Sequence, residues 1–223
     1  MNGILMYGRW FDLMARLGVP FVKLGNALKF FEELHYAYSS RAYHNLRHIE
    51  MCLDELDGYC ANLKTFWGQP QYTDIELALW YHDAVCCQNG NDEESSANLA
   101  VSRLDMLDLK HIACKVSELI MVGTKHGNNQ ELKREYVTEE KINIIHDVDL
   151  AILGQEGKTF DDYERGIMRE YAHIPEDVFR KKRAEILQGF LDRPQIYRTK
   201  YFFEKYEERA RENIKRSIAR LTS

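Results

Sequence analysis

The chain has 223 residues, of which 45% are hydrophobic and 12% aromatic, and its formal net charge at pH 7 is −5. This composition is too apolar for a disordered chain, and the acidic balance argues against a large nucleic acid as partner, which usually requires a strongly basic surface. The 5 cysteines include no C-x-x-C pair, so neither a disulfide framework nor a thiolate zinc site is expected. We also expect no signal peptide and no membrane span, and therefore a cytoplasmic location.

Helical periodicity dominates the first half of the sequence. Apolar residues between positions 24 and 38 recur at three- and four-residue spacing and predict one buried helix face, with His35 as a core histidine on it. A second helix is predicted to begin near Asn45. A third is predicted over TDIELALWYHDAV, where Thr73 opens a capping box and His82 shares the buried face.

The second half of the chain continues the same pattern. Helices are predicted over 95–107, 112–124, 138–146 and 159–171, then after Pro175, and a final amphipathic helix carries an apolar stripe that begins at Phe203. Alternating β-branched runs are nearly absent, and no Gly/Ser-rich linker or repeat divides the chain. The sequence therefore predicts a single all-α domain.

Three apolar segments are interrupted by side chains that can bind metals. RAYHNLRHIE carries two histidines four residues apart, LWYHDAV carries an adjacent His–Asp pair, and IIHDVDLAIL carries two aspartates. These residues are His44, His48, His82, Asp83, Asp147 and Asp149.

The aspartates need positive partners if their segments are buried. Burying a carboxylate costs on the order of several kcal/mol unless a positive group compensates it. A divalent cation shared by His48, His82, Asp83 and Asp149 would satisfy all four residues at once. Such a ligand set leaves positions on an octahedral ion open for water and substrate, and it favours Mn, Fe, Co, Ni, Zn or Mg over a structural tetrahedral zinc.

The order H…HD…D, carried by YHNLRH, WYHDA and DVDL, resembles the HD superfamily of metal-dependent phosphohydrolases. The YHN-x-x-H opening is also similar to that of cyclic-nucleotide phosphodiesterases. Together with NDEESSA, DVDLAILG and ILQGFLDRPQIY, it resembles a bacterial group of predicted HD phosphohydrolases over nearly the whole chain. The resemblance implies one HD-type helical bundle over 1–223, with a metal-binding core at about 40–150 and C-terminal helices at 159–221 packed on it.

The resemblance also implies a role for each motif residue. His48 matches the first metal-ligand histidine, and His82 with Asp83 matches the HD pair. Asp149 matches the distal aspartate, because in related motifs the ligand directly precedes a leucine, and Asp147 is the alternative for that place.

Further roles concern the substrate and a second metal. His44 matches the histidine that protonates the leaving oxygen in the phosphodiesterases, and together with Asp83 it forms the expected catalytic pair. A second metal would be bridged by Asp83 and would take His126 as an extra ligand. The candidates for neutralising the substrate phosphate are Arg41, Arg47 and Lys125.

These roles imply hydrolysis of a phosphate ester or nucleotide by metal-activated water, with one metal ion or two. The expected substrate is a small phosphorylated molecule or a nucleotide. Two alternatives stay open. One is a di-iron oxygenase of the HD type, which needs extra histidines such as His126 or His111. The other is a non-catalytic domain that binds a nucleotide or metal and regulates a partner, although an intact ligand set and a retained His44 argue against it.

Overall fold

A computed structural model describes residues 2–63, 72–86, 91–124 and 135–223. The described residues form helices and contain no strand, which confirms the predicted single all-α domain. The helices are α1 (Asn2–Arg16), α2 (Leu24–Ser39), α3 (Leu46–Asn62), α4 (Thr73–Tyr81), α5 (Asp92–Met106), α6 (Lys110–Glu118), α7 (Glu139–Asp149), α8 (Gly157–Glu170), α9 (Glu176–Leu191) and α10 (Lys200–Thr222).

Shorter helical turns complete the secondary structure of this part of the chain. They are 3₁₀ turns at Phe21–Lys23 and Leu150–Gly154 and a π-helical turn at Leu119–Gly123. Within the described ranges, no helix combines the length and apolarity needed to cross a membrane.

The chain divides by packing into two compact units. The first comprises Met1–Ser40 with His44–His146, and the second comprises Arg41–Tyr43 with Asp147–Ser223. The last three residues of α7 therefore belong to the second unit. The division expected from the sequence, a core at about 40–150 and C-terminal helices at 159–221, stays a prediction.

Helix α4 lies at the centre of the first unit. All of its residues except Glu76 are buried. Trp80 of α4 packs edge-on against Trp10 of α1, with ring centroids 5.3 Å apart, and the Trp80 carbonyl accepts a hydrogen bond from the Tyr38 hydroxyl of α2 at 2.9 Å. These contacts fix the C-terminal end of α4, where the His–Asp pair follows.

Two details of α4 differ from the prediction. Thr73 is the first residue of the helix, and Tyr72 before it makes no side-chain capping bond, so Thr73 is not at the capping position that the prediction gave it. The helix also ends at Tyr81, short of the predicted Val85. The reason lies in α5, because the hydroxyl of Ser96 accepts the hydrogen bond from the Val85 backbone N–H, at 3.0 Å.

The core position predicted for His35 is wrong, because its side chain is exposed on α2. The buried face of this helix consists of Ala27, Phe30, Phe31, Leu34 and Tyr38. Since successive residues are about 100° apart around a helix, His35 lies at the solvent edge of that face.

The second unit is organised around α10. Its apolar stripe begins at Phe202, while the predicted Phe203 is 42% exposed. The carboxylate of Glu207, which is also buried, accepts hydrogen bonds from the backbone N–H groups of Ile196 and Tyr197 at 3.0 to 3.1 Å. The connection between α9 and α10 is thereby anchored by a side chain of α10.

Candidate metal centre

The first turn of α3 carries His48, and Asn45 fixes this turn. Asn45 has an extended backbone, and its side-chain oxygen accepts hydrogen bonds from the N–H groups of Arg47 and His48 at 2.9 and 3.4 Å. This is the usual cap of a helix N-terminus, and it confirms that the helix begins next to Asn45. The His48 side chain points inwards and is only 1% exposed.

His82 and Asp83 follow the last turn of α4. The Nδ1 atom of His82 lies 2.9 Å from the Leu79 carbonyl oxygen. A carbonyl can only accept a hydrogen bond, so Nδ1 carries a proton, and in the neutral ring Nε2 is the atom with a lone pair for a metal. The end of α4 therefore sets the orientation of His82 and, in the neutral ring, its tautomer.

Three possible ligand atoms converge in the first unit. The Nε2 atoms of His48 and His82 are 3.2 Å apart, and the Asp83 carboxylate lies 3.1 Å from the His82 nitrogen and 3.6 Å from the His48 nitrogen. Ligands on an ion with bonds of ~2.1 Å are separated by ~3.0 to 3.4 Å in octahedral or tetrahedral geometry. His48, His82 and Asp83 could therefore hold one metal ion.

The electrostatics of the site favour a cation. Burial raises the pKa of Asp83, but the imidazoles of His82, His44 and His48 and a hydrogen bond with His82 outweigh that effect, and the net pKa lies well below the usual range. The carboxylate therefore stays ionised at neutral pH. A negative charge beside two imidazole nitrogens is the environment in which a divalent ion is bound.

Cys52 is a neighbour of the site that the sequence patterns did not identify. Its sulfur lies 3.7 Å from both ring nitrogens of His48, one helical turn earlier on α3. The thiol therefore contacts the His48 ring, and Cys52 is itself among the residues that could bind a metal. The four-residue spacing of His48 and Cys52, which places both on one face of a helix, is the sequence feature that could have predicted this contact.

His44 lies beside the three possible ligands. Its ring is nearly perpendicular to that of His48, with centroids 5.8 Å apart, and its charge contributes to the lowered pKa of Asp83.

The two aspartates of the DVDL motif have different surroundings in the second unit. The Asp147 side chain is fully buried, and its carboxylate accepts hydrogen bonds from the backbone N–H groups of Arg198 and Thr199 at 2.7 to 3.0 Å. Asp147 thus has a structural role in anchoring the connection that leads into α10. Asp149, the last residue of α7, is half-buried.

The other predicted residues are not part of the three-ligand group. Arg47 is exposed on the first turn of α3, Arg41 is half-buried in the second unit, and His111 is exposed on α6. Lys125 and His126 lie outside the described residues, so the predicted second metal stays a prediction.

No protein-family model, curated protein or solved structure matches this chain. The chemistry of the site therefore has to follow from its own residues.

Proposed function

We propose that the protein is a metal-dependent phosphohydrolase of the HD type that cleaves a small phosphate ester or a nucleotide. The observation that carries the proposal is the convergence of the His48 and His82 nitrogens on the Asp83 carboxylate, with His44 beside them. A site built only to bind a metal would not need the additional histidine.

The proposed ligands are His48, His82, Asp83 and Asp149. Asp149 is included because of its place in the H…HD…D order and because the neighbouring Asp147 is engaged by backbone N–H groups. A divalent ion bound by this set would polarise a phosphoryl oxygen and lower the pKa of a bound water. The Asp83 side chain is 29% exposed, while those of both histidines are only 1% exposed, so the carboxylate marks the side on which a substrate would approach.

His44 is the proposed proton donor. A protonated imidazole is the form of His44 that would donate, and its charge would lie beside the ionised Asp83 carboxylate. Water adds to phosphorus as the ester P–O bond breaks, and the proton from His44 goes to the leaving oxygen. A proton of the attacking water is released to solvent and His44 is reprotonated from solvent, so the products are an alcohol and a phosphate. Arg41 and Arg47 stay the predicted phosphate contacts, and the cytoplasm stays the predicted location.

The test compares the wild type with His44→Gln. Both proteins would be loaded with Mn, Co, Ni, Zn, Fe or Mg and assayed on phosphomonoesters, phosphodiesters and nucleotides. We expect kcat of His44→Gln to fall by about 10²- to 10⁴-fold on esters with poor leaving groups, while metal content stays unchanged. His111→Gln, which replaces an exposed histidine of the same unit, should behave like the wild type.

The proposal fails if the wild-type protein cleaves no member of the panel with any of these metals. A regulatory domain would instead bind metal or nucleotide without turnover, and it would be indifferent to His44→Gln. Oxygen uptake by an iron-loaded sample would favour the oxygenase alternative.

A further inference from the structure

One side chain of α2 and one of α5 contact the backbone at the end of α4. The Tyr38 hydroxyl donates a hydrogen bond to the Trp80 carbonyl at 2.9 Å. The Ser96 hydroxyl accepts a hydrogen bond from the Val85 N–H at 3.0 Å and donates one to the Val85 carbonyl at 3.4 Å. Both side chains are fully buried, and all four residues belong to the first unit. The hydroxyls of Tyr38 and Ser96 are called the α4 stop below.

The α4 stop engages the backbone groups that would otherwise extend the helix. In an α-helix, each carbonyl accepts a hydrogen bond from the N–H four residues later. The Trp80 carbonyl would therefore pair with the Ala84 N–H, and the Tyr81 carbonyl would pair with the Val85 N–H. The α4 stop binds the first of these carbonyls and the second of these N–H groups. This is the physical reason why α4 ends at Tyr81.

The His–Asp pair lies in the turn that replaces the next helical turn. The Ala84 N–H donates to the Tyr81 carbonyl at 2.9 Å, and this bond spans His82 and Asp83. A bond between residues three apart belongs to a tighter turn, in which successive side chains are about 120° apart instead of about 100°. With side chains that reach about 5–6 Å from the helix axis, a difference of about 20° moves a carboxylate by about 2 Å.

His82 is held by α4 itself and does not depend on this turn. Its backbone N–H donates to the Ala78 carbonyl at 2.8 Å, and its Nδ1 lies 2.9 Å from the Leu79 carbonyl oxygen. A longer α4 would therefore move the Asp83 carboxylate relative to a fixed imidazole. The distances of 3.1 Å to the His82 nitrogen and 3.6 Å to the His48 nitrogen depend on where the helix ends.

We propose that Tyr38 and Ser96 are positioning residues of the metal centre, because their hydroxyls hold the Asp83 carboxylate within reach of the ion. The inference rests on the metal ligands of the proposed function. Ligands have to be held within about 0.5 Å of the binding geometry. Without the α4 stop, a longer α4 competes with the metal-binding conformation. The apparent Kd then rises in inverse proportion to the fraction of molecules in that conformation.

Two single variants remove one hydroxyl each and leave the metal ligands in place. They are Tyr38→Phe and Ser96→Ala, and the double variant removes the α4 stop altogether. Tyr36→Phe and Ser102→Ala are the matched controls, because they make the same chemical changes at exposed positions of the same two helices.

Metal affinity is the first readout. Calorimetric titration would measure Kd for Mn²⁺, or for another of the six metals if the wild type does not bind Mn²⁺, at a temperature at which circular dichroism shows each variant to be folded. Groups that orient metal ligands typically contribute 10- to 100-fold to affinity, so we expect Kd to rise about 5- to 10-fold in each single variant and about 10- to 100-fold in the double variant. Both controls should match the wild type.

A merely structural role of the two hydroxyls gives a different result. It would lower the Tm of metal-free protein without changing Kd in the folded variants. An unchanged Kd in Tyr38→Phe and Ser96→Ala would therefore overturn the inference. If one of these two variants does not fold, the other decides by the same titration.

The second readout needs no metal. In metal-free protein labelled with ¹³C, the Cα resonances of Ala84 and Val85 report whether their backbone is helical. Both resonances should move downfield, towards helical values, in the double variant and stay in place in the two controls. Unchanged resonances in the double variant would show that the hydroxyls do not end α4 and would overturn the inference.

These measurements separate the inference from the proposed function. If the wild type binds metal but cleaves no ester, the proposed function fails and the Kd values still decide the inference. If the wild type cleaves an ester and the variants keep its Kd, the inference alone fails. If the wild type binds none of the six metals, no centre forms and both fail.

Discussion

Asp147 and Asp149 show how two identical side chains can acquire different roles. They are two positions apart in the last turn of α7, and at about 100° per residue they point in directions about 200° apart. Asp147 is fully buried and receives the backbone N–H groups of Arg198 and Thr199. Asp149 is half-buried and is the proposed metal ligand of the two.

Substitutions at these two positions should have opposite consequences. Asp147→Ala leaves two backbone N–H groups without their carboxylate, so we expect the free energy of unfolding of metal-free protein to fall by about 2–5 kcal/mol. Asp149→Asn should abolish or strongly weaken metal binding and leave that free energy nearly unchanged. Urea denaturation in EDTA and metal analysis would measure both effects.

Asp162→Ala is the control for these variants. Its ion pair with Arg165 is exposed, so it should change stability by less than about 0.5 kcal/mol. The assignment of the two aspartates would be reversed by two results together. Asp147→Ala would lose the metal, and Asp149→Asn would be stable and would still bind the metal.

At the scale of secondary-structure elements, the possible metal ligands lie at the ends of α3 and α4 and not in the middle of either helix. His48 lies in the first turn of α3, and His82 follows the last residue of α4. The backbone N–H and C=O groups at helix ends need hydrogen-bond partners outside the helix. Capping side chains and neighbouring elements therefore determine where each helix begins and ends. Asn45 performs this role for α3, and Ser96 of α5 does so for the residues after α4.

Asn45→Ala should destabilise the start of α3. We expect the free energy of unfolding to fall by about 1 kcal/mol because the cap is lost. Metal affinity should fall by no more than about fivefold, since 1.4 kcal/mol corresponds to a factor of ten. Thermal unfolding and calorimetric titration with Mn²⁺ would measure the two quantities.

Asn45→Ser, which can also cap a helix, should restore most of the loss. Asn62→Ala, at the exposed C-terminal end of the same helix, should change neither quantity. An effect of Asn62→Ala as large as that of Asn45→Ala would show that the cap is not the cause.

At the scale of the whole molecule, a metal ion that binds only the folded chain must stabilise it. His48, His82 and Asp83 come from two separated segments, so the unfolded chain does not present them together. At a free metal concentration of 100 times Kd, the expected gain is about 2.7 kcal/mol. For a chain of this size, that gain corresponds to a rise in Tm of about 5–11 °C.

Differential scanning fluorimetry with and without EDTA would measure this rise in Tm. His48→Ala should abolish the response to added metal, and His111→Ala, which removes an exposed histidine, should retain it. If none of the six metals raises the Tm of the wild type, the metal centre is not formed.

The sequence by itself determined the all-α class and the grouping of His48 with His82 and Asp83. Helical periodicity is a local property, so it can be read from the spacing of apolar residues. A carboxylate within an apolar helix predicts a positive partner, because an unpaired buried charge is costly. The same local rules placed the start of α3 beside Asn45.

Only the tertiary structure decided which groups meet across large separations in the chain. The partners of Asp147 lie about fifty residues later, the end of α4 depends on Ser96, and Tyr43 is held by Glu170, 127 residues away. The spacing of residues within a helix predicts which face is buried, but it contains no information about the distant backbone or side chain that a buried polar group will contact. That choice is made when the helices pack.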